Sequence, residues 1–472
     1  MIIATTFTLV SEACRHWCLI PLTLCGALAG SDFVAWLRKE VDSVDPKVFV
    51  AVHLYLSCFI APQLHLAYNS YSGDYFHTGD WPKYFGYMAW LNLAGIILYK
   101  LGHKLLFSRI RPARTVWQIQ PGRFMGIFGL LLTISLGAAI TIKLVFGGLV
   151  VGGGGEFVPA AAHLSWVLML GDPAPILLMM FLIYWLSRNR LGKNTSLAAV
   201  ICLMILAMVL QFFFVGLRGS RSVIVLGVAV VAAMVHYRLR PFSMKLILVG
   251  GYLTIMFVYL YGFYKWLGPR GLQAFYSKEA RESMRYELGG GGPLATFIGR
   301  GKSDIQAFIL YNLMENEATR RYAWGKTYGW AVLYFVPRAV WKTKPFYTPK
   351  MVTGTIMQGQ PPSMISSKVY GLGGEAMLNF GYWGIPPAFF IFGCLLGWFR
   401  KKLTTMEPTD SRFFVIPFLI LTFALAVGSD VDNLAFGLLK MGSLPFLLIF
   451  LASSRSKLAA LSEDYQFGSQ NT

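Results

Sequence analysis

The chain has 472 residues, of which 56% are hydrophobic and 14% charged, and its mean hydropathy is +0.55. Soluble domains carry roughly 25% charged residues, so this composition excludes a soluble globular enzyme and a disordered chain. The net charge of +20 does not require nucleic acid, because Lys and Arg on cytoplasmic loops and at lipid headgroups explain it. The sequence predicts an all-α, polytopic integral membrane protein with the lipid bilayer as its partner and no nucleic acid.

Apolar runs of about 20 residues, the length that crosses a bilayer core, predict about eleven transmembrane helices. They lie near 17–36, 47–64, 84–102, 124–151, 164–187, 195–216, 222–237, 246–265, 383–399, 413–429 and 434–452. These positions divide the chain into N-terminal membrane helices (1–265), a large loop (266–382), and C-terminal membrane helices with a tail (383–472).

The positive charges of the short loops predict the orientation. With the C-terminus in the cytoplasm, twenty Lys and Arg residues lie in cytoplasmic segments and four in the short outer segments. The loop 266–382 is then external. It carries fourteen Lys and Arg residues against seven Asp and Glu residues, an excess that favours an anionic partner on the outer face or contact with anionic lipid.

The large loop contains distinct segments. Residues 276–287 predict a charged, exposed helix, and residues 303–318 have helical periodicity. Residues 327–341 are aromatic and apolar but too short to span, which indicates a helix on the outer membrane surface. Residues 343–363 contain four prolines and predict an irregular lid.

The six cysteines form no CxxC motif and no Cys/His cluster, so we expect neither a disulfide framework nor a zinc site. The first apolar run lacks a basic leader, so we expect no cleavable signal peptide. Because no acidic cluster has metal-binding spacing, we expect no catalytic metal and no other cofactor.

The first candidate site lies between two apolar runs, where Arg218 and Arg221 flank Gly219 and Ser220. Charges at membrane depth tend to mark function. Two guanidinium groups, Ser220 and the start of a helix offer hydrogen bonds to phosphate oxygens. Arginines that reach outward to lipid phosphate would explain the same pattern.

The second candidate site is the cationic segment with Arg338, Lys342 and Lys344, beside the predicted surface helix. An apolar helix with such cations suits a lipid-linked phosphate, and an amphipathic surface helix without a ligand is the alternative. Arg300 lies four residues before Asp304, a spacing that also fits a simple helical ion pair.

The third candidate site combines Ser366, Ser367 and Lys368 with Glu375 and Asn379. Glu375 and Asn379 are four residues apart, which places them on one face of a helix where a membrane span is predicted to begin. Glu375 is a candidate general base or a helix cap. Weaker candidates are Asp172 at a Pro-rich interruption of a span, Lys143 and Lys440 within spans, Asp430 and Asp432 at a pocket rim, and His163.

The chain resembles the bacterial O-antigen polymerase family, the oligosaccharide repeat-unit polymerases. The matching stretches are GLRGSRS (216–222), YFVPRAVWKTKP (334–345) and SSKVYGLGGEAMLNFGYWGI (366–385), together with the large outer loop. The resemblance covers roughly the C-terminal half of the chain, and the acidic residue followed by NFG is its most telling part.

The resemblance implies an inner-membrane enzyme with a periplasmic active site. Such enzymes transfer a polyprenyl-diphosphate-linked glycan onto a second lipid-linked oligosaccharide repeat unit, and a chain-length regulator protein is a further candidate partner. We assign Glu375 as the base, with Asp304 and Asp172 in reserve, and Ser366, Ser367, Lys368 and Asn379 to the acceptor pocket. The predicted diphosphate ligands are Arg218, Ser220, Arg221, Arg300, Arg338, Lys342 and Lys344.

Two other functions stay open. An O-antigen ligase would move the glycan onto a lipid A core and would share the cationic outer pocket. A transporter of lipid-linked glycans would more often have repeated halves and a site at the membrane midplane.

Overall fold

The computed structural model describes residues 12–69, 71, 78–109, 115–145, 165–188, 195–216, 221–287, 301–315, 322–333, 336, 341 and 369–457. The helices are, in chain order, α1 (Leu19–Leu37), α2 (Pro46–Tyr68), α3 (Trp81–Arg109), α4 (Pro121–Val145), α5 (Ser165–Gly171), α6 (Ala174–Arg188), α7 (Leu197–Phe214), α8 (Arg221–Arg238), α9 (Met244–Leu267), α10 (Lys278–Glu287), α11 (Ser303–Glu315), α12 (Lys326–Leu333), α13 (Gly371–Phe380), α14 (Ile385–Thr404), α15 (Ile416–Ala426) and α16 (Val431–Ala452).

Within these residues, eight helices are long and apolar enough to cross a membrane, and the protein is a multi-pass, mostly helical membrane protein. These candidate spans are Leu19–Leu37, Pro46–Tyr68, Pro121–Ile142, Met169–Arg188, Leu197–Phe214, Met244–Tyr264, Tyr382–Thr404 and Val431–Ala452. Three other predicted spans coincide with helices outside this set. α8 and α15 are apolar but short, and α3 has 29 residues but includes Asn92 and Lys100.

The chain forms two compact units. The first comprises Met1–Arg111, Gly292–Lys401 and Thr422–Phe436, and the second comprises Pro112–Gly291, Lys402–Leu421 and Gly437–Thr472.

In the first unit, α3 and α14 approach so closely that only glycine fits at the crossing. A Cβ atom on Gly393 would lie 2.1 Å from the carbonyl oxygen of Tyr99, and one on Gly397 would lie 2.4 Å from that of His103. Small residues allow membrane helices to pack backbone to backbone. The apolar core beside this crossing includes Ile96, a fully buried side chain.

Polar side chains form contacts at two levels of α3. Near its beginning, Tyr84 donates a hydrogen bond to Glu315, and in its second half Lys100 lies 2.8 Å from Asp32. Asp32 also lies 2.9 Å from Lys47. At a rise of 1.5 Å per residue, Tyr84 and Lys100 are about 24 Å apart along the helix axis, so the two polar clusters are well separated.

The second unit contains the only strands among the described residues, one short pair in a mostly helical structure. β1 (Thr115–Ile119) and β2 (Ser453–Lys457) pair in antiparallel fashion. Asp410 accepts a hydrogen bond from the backbone N–H of Trp117 at 3.3 Å, and Arg412 donates one to the carbonyl of Thr115 at 2.7 Å. The sequence predicts a cytoplasmic location for all these segments, and the structure brings them together.

Candidate functional site

The third candidate site lies on α13, in the first unit. The sequence predicts that a membrane helix begins at Glu375 and Asn379, but α13 is a separate helix of ten residues. Gly381, with φ of 73°, ends it before the span Tyr382–Thr404 begins. A positive φ is accessible to glycine and costly for most other residues, which explains the break.

Glu375 is 1% exposed, and both of its carboxylate oxygens accept hydrogen bonds. Oε1 accepts from the Thr327 hydroxyl at 2.7 Å, which joins α13 to α12. Oε2 accepts from the backbone N–H of Val431 at 2.8 Å, the first residue of α16. The carboxyl group therefore connects three helices. It caps the N-terminus of α16, whereas the sequence alternative was a cap within its own helix.

Asn379 completes the same network. Its Nδ2 atom donates to the Thr327 hydroxyl at 2.7 Å and to the carbonyl of Glu375 at 2.9 Å. Its Oδ1 atom accepts from the backbone N–H of Gly325 at 2.9 Å. The structure thus brings Glu375 and Asn379 together through Thr327, which is fully buried.

Asp430 forms the reciprocal contact. It precedes α16, and its Oδ1 atom accepts from the backbone N–H groups of Tyr370 and Gly371 at 2.8 and 3.0 Å. α13 and α16 each begin on an acidic side chain supplied from the other segment. Such caps satisfy donors that a helix leaves open at its N-terminus.

Burial shifts the acidity of these carboxyl groups. Burial raises the pKa of Glu375 to about 7, although the Thr327 hydroxyl and the Val431 N–H oppose the shift. Burial also raises the pKa of Asp430 well above its usual value, and the neighbouring Glu375 adds to this effect. A carboxyl group with a pKa near neutrality can release and accept a proton at physiological pH.

Asp304, the first reserve base, has a different environment within this unit. Its Oδ1 atom lies 3.6 Å from Nε2 of His65, and both side chains are almost fully buried. The His65 ring stacks on Tyr71 and Phe85 at centroid distances of 5.9 and 6.0 Å. The structure therefore places Asp304 beside a histidine, while its predicted partner Arg300 lies outside the described residues.

Asp172, the second reserve base, belongs to the second unit. It lies where α5 ends and α6 begins, the interruption that the sequence predicts at this point. Its Oδ2 atom lies 2.8 Å from Nζ of Lys440, and the Asp172 side chain is fully buried. The freed carbonyl of Leu170 accepts from the Ser135 hydroxyl at 2.6 Å. Two residues that the sequence singled out separately thus form one ion pair, in which the carboxylate is buried and the lysine is partly exposed.

The other predicted ligands are not described. Arg218, Ser220, Arg300, Arg338, Lys342, Lys344, Ser366, Ser367, Lys368 and His163 lie outside the described residues. Arg221 is the first residue of α8, but its side chain, like that of Lys143, is not described. The diphosphate site remains a prediction from the sequence.

Two residues of these clusters could not be predicted from the sequence. Thr327 and His65 lie 48 and 239 residues from their carboxyl partners, and neither belongs to a recognisable motif. Among the described residues, no three His, Cys, Asp or Glu side chains form a group that could hold a metal. No protein family model, no curated protein and no solved structure matches the chain.

Proposed function

We propose that this protein is a membrane glycosyltransferase that polymerises polyprenyl-diphosphate-linked oligosaccharide repeat units on the periplasmic face of the bacterial inner membrane. The observation that carries the proposal is the carboxyl group of Glu375. It is buried beside the start of a membrane span, with a pKa raised to about 7. The motif similarity to O-antigen polymerases includes this residue and Asn379.

The proposed reaction balances as a glycosyl transfer. The acceptor hydroxyl oxygen forms a bond to the anomeric carbon of the donor glycan, and the bond from that carbon to the diphosphate oxygen breaks. Glu375 takes the proton of the acceptor hydroxyl, and polyprenyl diphosphate leaves with the bonding electron pair. For this step, Oε1 of Glu375 exchanges the Thr327 hydroxyl for that of the acceptor.

The leaving diphosphate gains negative charge as the bond breaks. Preorganised cationic donors stabilise such charge, and the loss of one donor typically costs about 3–4 kcal/mol of transition-state stabilisation. The proposed donors are the cations at positions 218, 221, 300, 338, 342 and 344. Arg221→Ala and Arg338→Ala should each remove the polymer while the protein still inserts into the membrane.

The direct test is reconstitution with lipid-linked repeat units in proteoliposomes. We expect a ladder of polymer lengths from the wild-type protein and none from Glu375→Gln. Glu315→Gln is the matched control, because Glu315 is a partly exposed carboxyl group of the same unit whose hydrogen bonds go to Lys83 and Tyr84. Wild-type polymer from Glu375→Gln would eliminate the base assignment.

A ligase that transfers the glycan to a lipid A core shares the same expected pocket. The lipopolysaccharide of a deletion strain separates the two enzymes. Loss of a polymerase leaves a single repeat unit on the core, whereas loss of a ligase leaves none and the glycan accumulates on its carrier lipid.

The Asp172–Lys440 pair favours a second candidate, a transporter of lipid-linked glycans. Broken helices with buried charges are typical of transporter sites. Proteoliposomes that contain a fluorescent lipid-linked repeat unit distinguish the candidates. A transporter would move the lipid between leaflets without lengthening the glycan, and a polymerase would lengthen it.

A further inference from the structure

Trp324 has a backbone conformation that is rare for a tryptophan. Its φ is 49°, in the left-handed region, and the side chain is 70% exposed. Bulky residues in this region are strained relative to the usual conformations. Packing against the protein does not explain a tryptophan at this position, because most of the side-chain surface is exposed.

Backbone hydrogen bonds hold the turn in place. The N–H groups of Ala323 and Trp324 donate to the carbonyls of Leu378 and Asn379 at 3.0 and 3.1 Å, at the end of α13. The next N–H group, that of Gly325, donates to the Asn379 side chain. The turn is therefore fixed to the helix that carries Glu375, and the Trp324 indole projects from it.

The position of the indole relative to a membrane span follows from its neighbours. The Trp324 ring lies 5.6 Å from the Tyr322 ring in an edge-to-face arrangement. A Cβ atom on Gly381 would lie 3.2 Å from that Tyr322 ring, and Gly381 directly precedes the span Tyr382–Thr404. Trp324 is thus about one side chain away from the start of a membrane span.

Other exposed apolar side chains lie on the adjoining segments, α12 and the start of the span. Trp383 is 72% exposed at the start of the span, Phe380 is 46% exposed, and Val332 of α12 is 71% exposed. Lys326, at the beginning of α12, is exposed as well. Tryptophan is enriched where membrane meets water, since its ring is apolar and its N–H is polar, and a lysine there can meet lipid phosphate.

We infer that Trp324 is an interfacial anchor, which inserts into the phospholipid headgroup region and fixes the height of α12 and α13 at the membrane surface. The occupant of the exposed patch is the phospholipid interface itself. The hydrogen bonds between the turn at 323–325 and α13 couple this anchor to the Thr327 and Glu375 network. This inference does not depend on the proposed glycosyl transfer.

The test measures depth with a nitroxide label in phospholipid nanodiscs. Cys202 is exposed and Cys394 is half-buried, so both are first replaced to prevent their labelling. The other four cysteines are buried and can remain. Single labels at 324, at Glu282 of the exposed α10 and at Leu253 of a lipid-facing span are compared. We expect label 324 to be several-fold less accessible to a water-soluble nickel complex than label 282, and less accessible to oxygen than label 253. Nickel access equal to that at 282, or shielding from both reagents, would overturn the anchor.

A second measurement separates anchoring from packing. Trp324→Gly and Trp324→Asn remove the indole and introduce residues that tolerate the left-handed conformation. With a label at Val332, both substitutions should increase nickel access, while the unfolding temperature in detergent does not fall. Unchanged access at 332, or a loss of folding, would show that the indole packs against protein instead.

Discussion

Thr327 is the residue on which the Glu375 network depends. Its hydroxyl donates to Glu375 and accepts from Asn379, both at 2.7 Å, and it is fully buried. A single hydroxyl group therefore satisfies two buried polar side chains from α13. The hydroxyl uses its one donor function for Glu375 and an acceptor function for Asn379.

Thr327→Val removes both functions with little change in volume. We expect a loss of about 2–4 kcal/mol of unfolding free energy, because two buried groups lose a partner. Thermal unfolding in detergent measures the change. Thr133→Val is the control, since Thr133 is exposed and bonds only to a carbonyl of its own helix. A neutral Thr327→Val would mean that water replaces the hydroxyl.

Glu375 predicts a pH dependence of stability. Its pKa is about 7 in the folded protein against 4.5 ordinarily, so between these values the folded state holds a proton that the unfolded chain has released. Stability should fall as pH rises from about 4.5 to 7, by up to about 3 kcal/mol. Asp430, whose pKa is also raised, contributes with the same sign.

Unfolding temperatures between pH 4.5 and 8 test this dependence. Glu375→Gln should flatten the profile and leave a smaller dependence from Asp430, because Glu375 contributes to the shift of the Asp430 pKa. Glu315→Gln should retain the wild-type profile in this range, because the pKa of Glu315 is lowered from 4.5 and its contribution changes only at lower pH. A wild-type slope in Glu375→Gln would assign the effect to another group.

At the scale of elements, α13 is attached at its N-terminus by a glycine. Gly371 has φ of 71°, and a Cβ atom there would lie 2.4 Å from the carbonyl oxygen of Val427. The N–H of Leu372 donates to the same carbonyl at 3.2 Å. The close approach allows Asp430 to reach the first N–H groups of α13.

Gly371→Ala should therefore destabilise the protein by about 2 kcal/mol or more, through left-handed strain and the clash with Val427. Gly428→Ala is the matched control, because a Cβ atom there meets nothing within 4 Å. Unfolding in detergent and trypsin sensitivity compare the two variants. Equal stability of both would mean that α13 docks without this contact.

At the scale of the whole molecule, sidedness is the main prediction. The strand pair brings segments 115–119 and 453–457 together, and the positive charges of the short loops predict that both lie in the cytoplasm. The same topology predicts that α10 and the Glu375 network lie outside.

Cysteine labelling tests the orientation. Glu282→Cys, on the exposed face of α10, should react with an impermeant maleimide in cells with a permeable outer membrane and an intact inner membrane. Glu407→Cys, exposed between α14 and α15, should react only after the inner membrane is opened. The reverse pattern would invert the topology and move the proposed active site to the cytoplasm.

The sequence predicted the class of the protein and many of its helices, because membrane helices depend on local hydrophobicity and length. It also predicted the break at Asp172 and the helices near 276–287 and 303–318, whose signals are local. It did not predict that α13 is separate from the following span, because one glycine with a positive φ makes the difference.

The composition and the distribution of charge by themselves determined a multi-pass helical protein and singled out Glu375, Asn379, Asp172 and Lys440. Only the tertiary structure decided that Asp172 and Lys440 pair, that Thr327 joins Glu375 to Asn379, and that Glu375 and Asp430 cap helices across segments. These contacts join residues far apart in the chain, so their geometry depends on helix packing, which no local pattern of residues encodes.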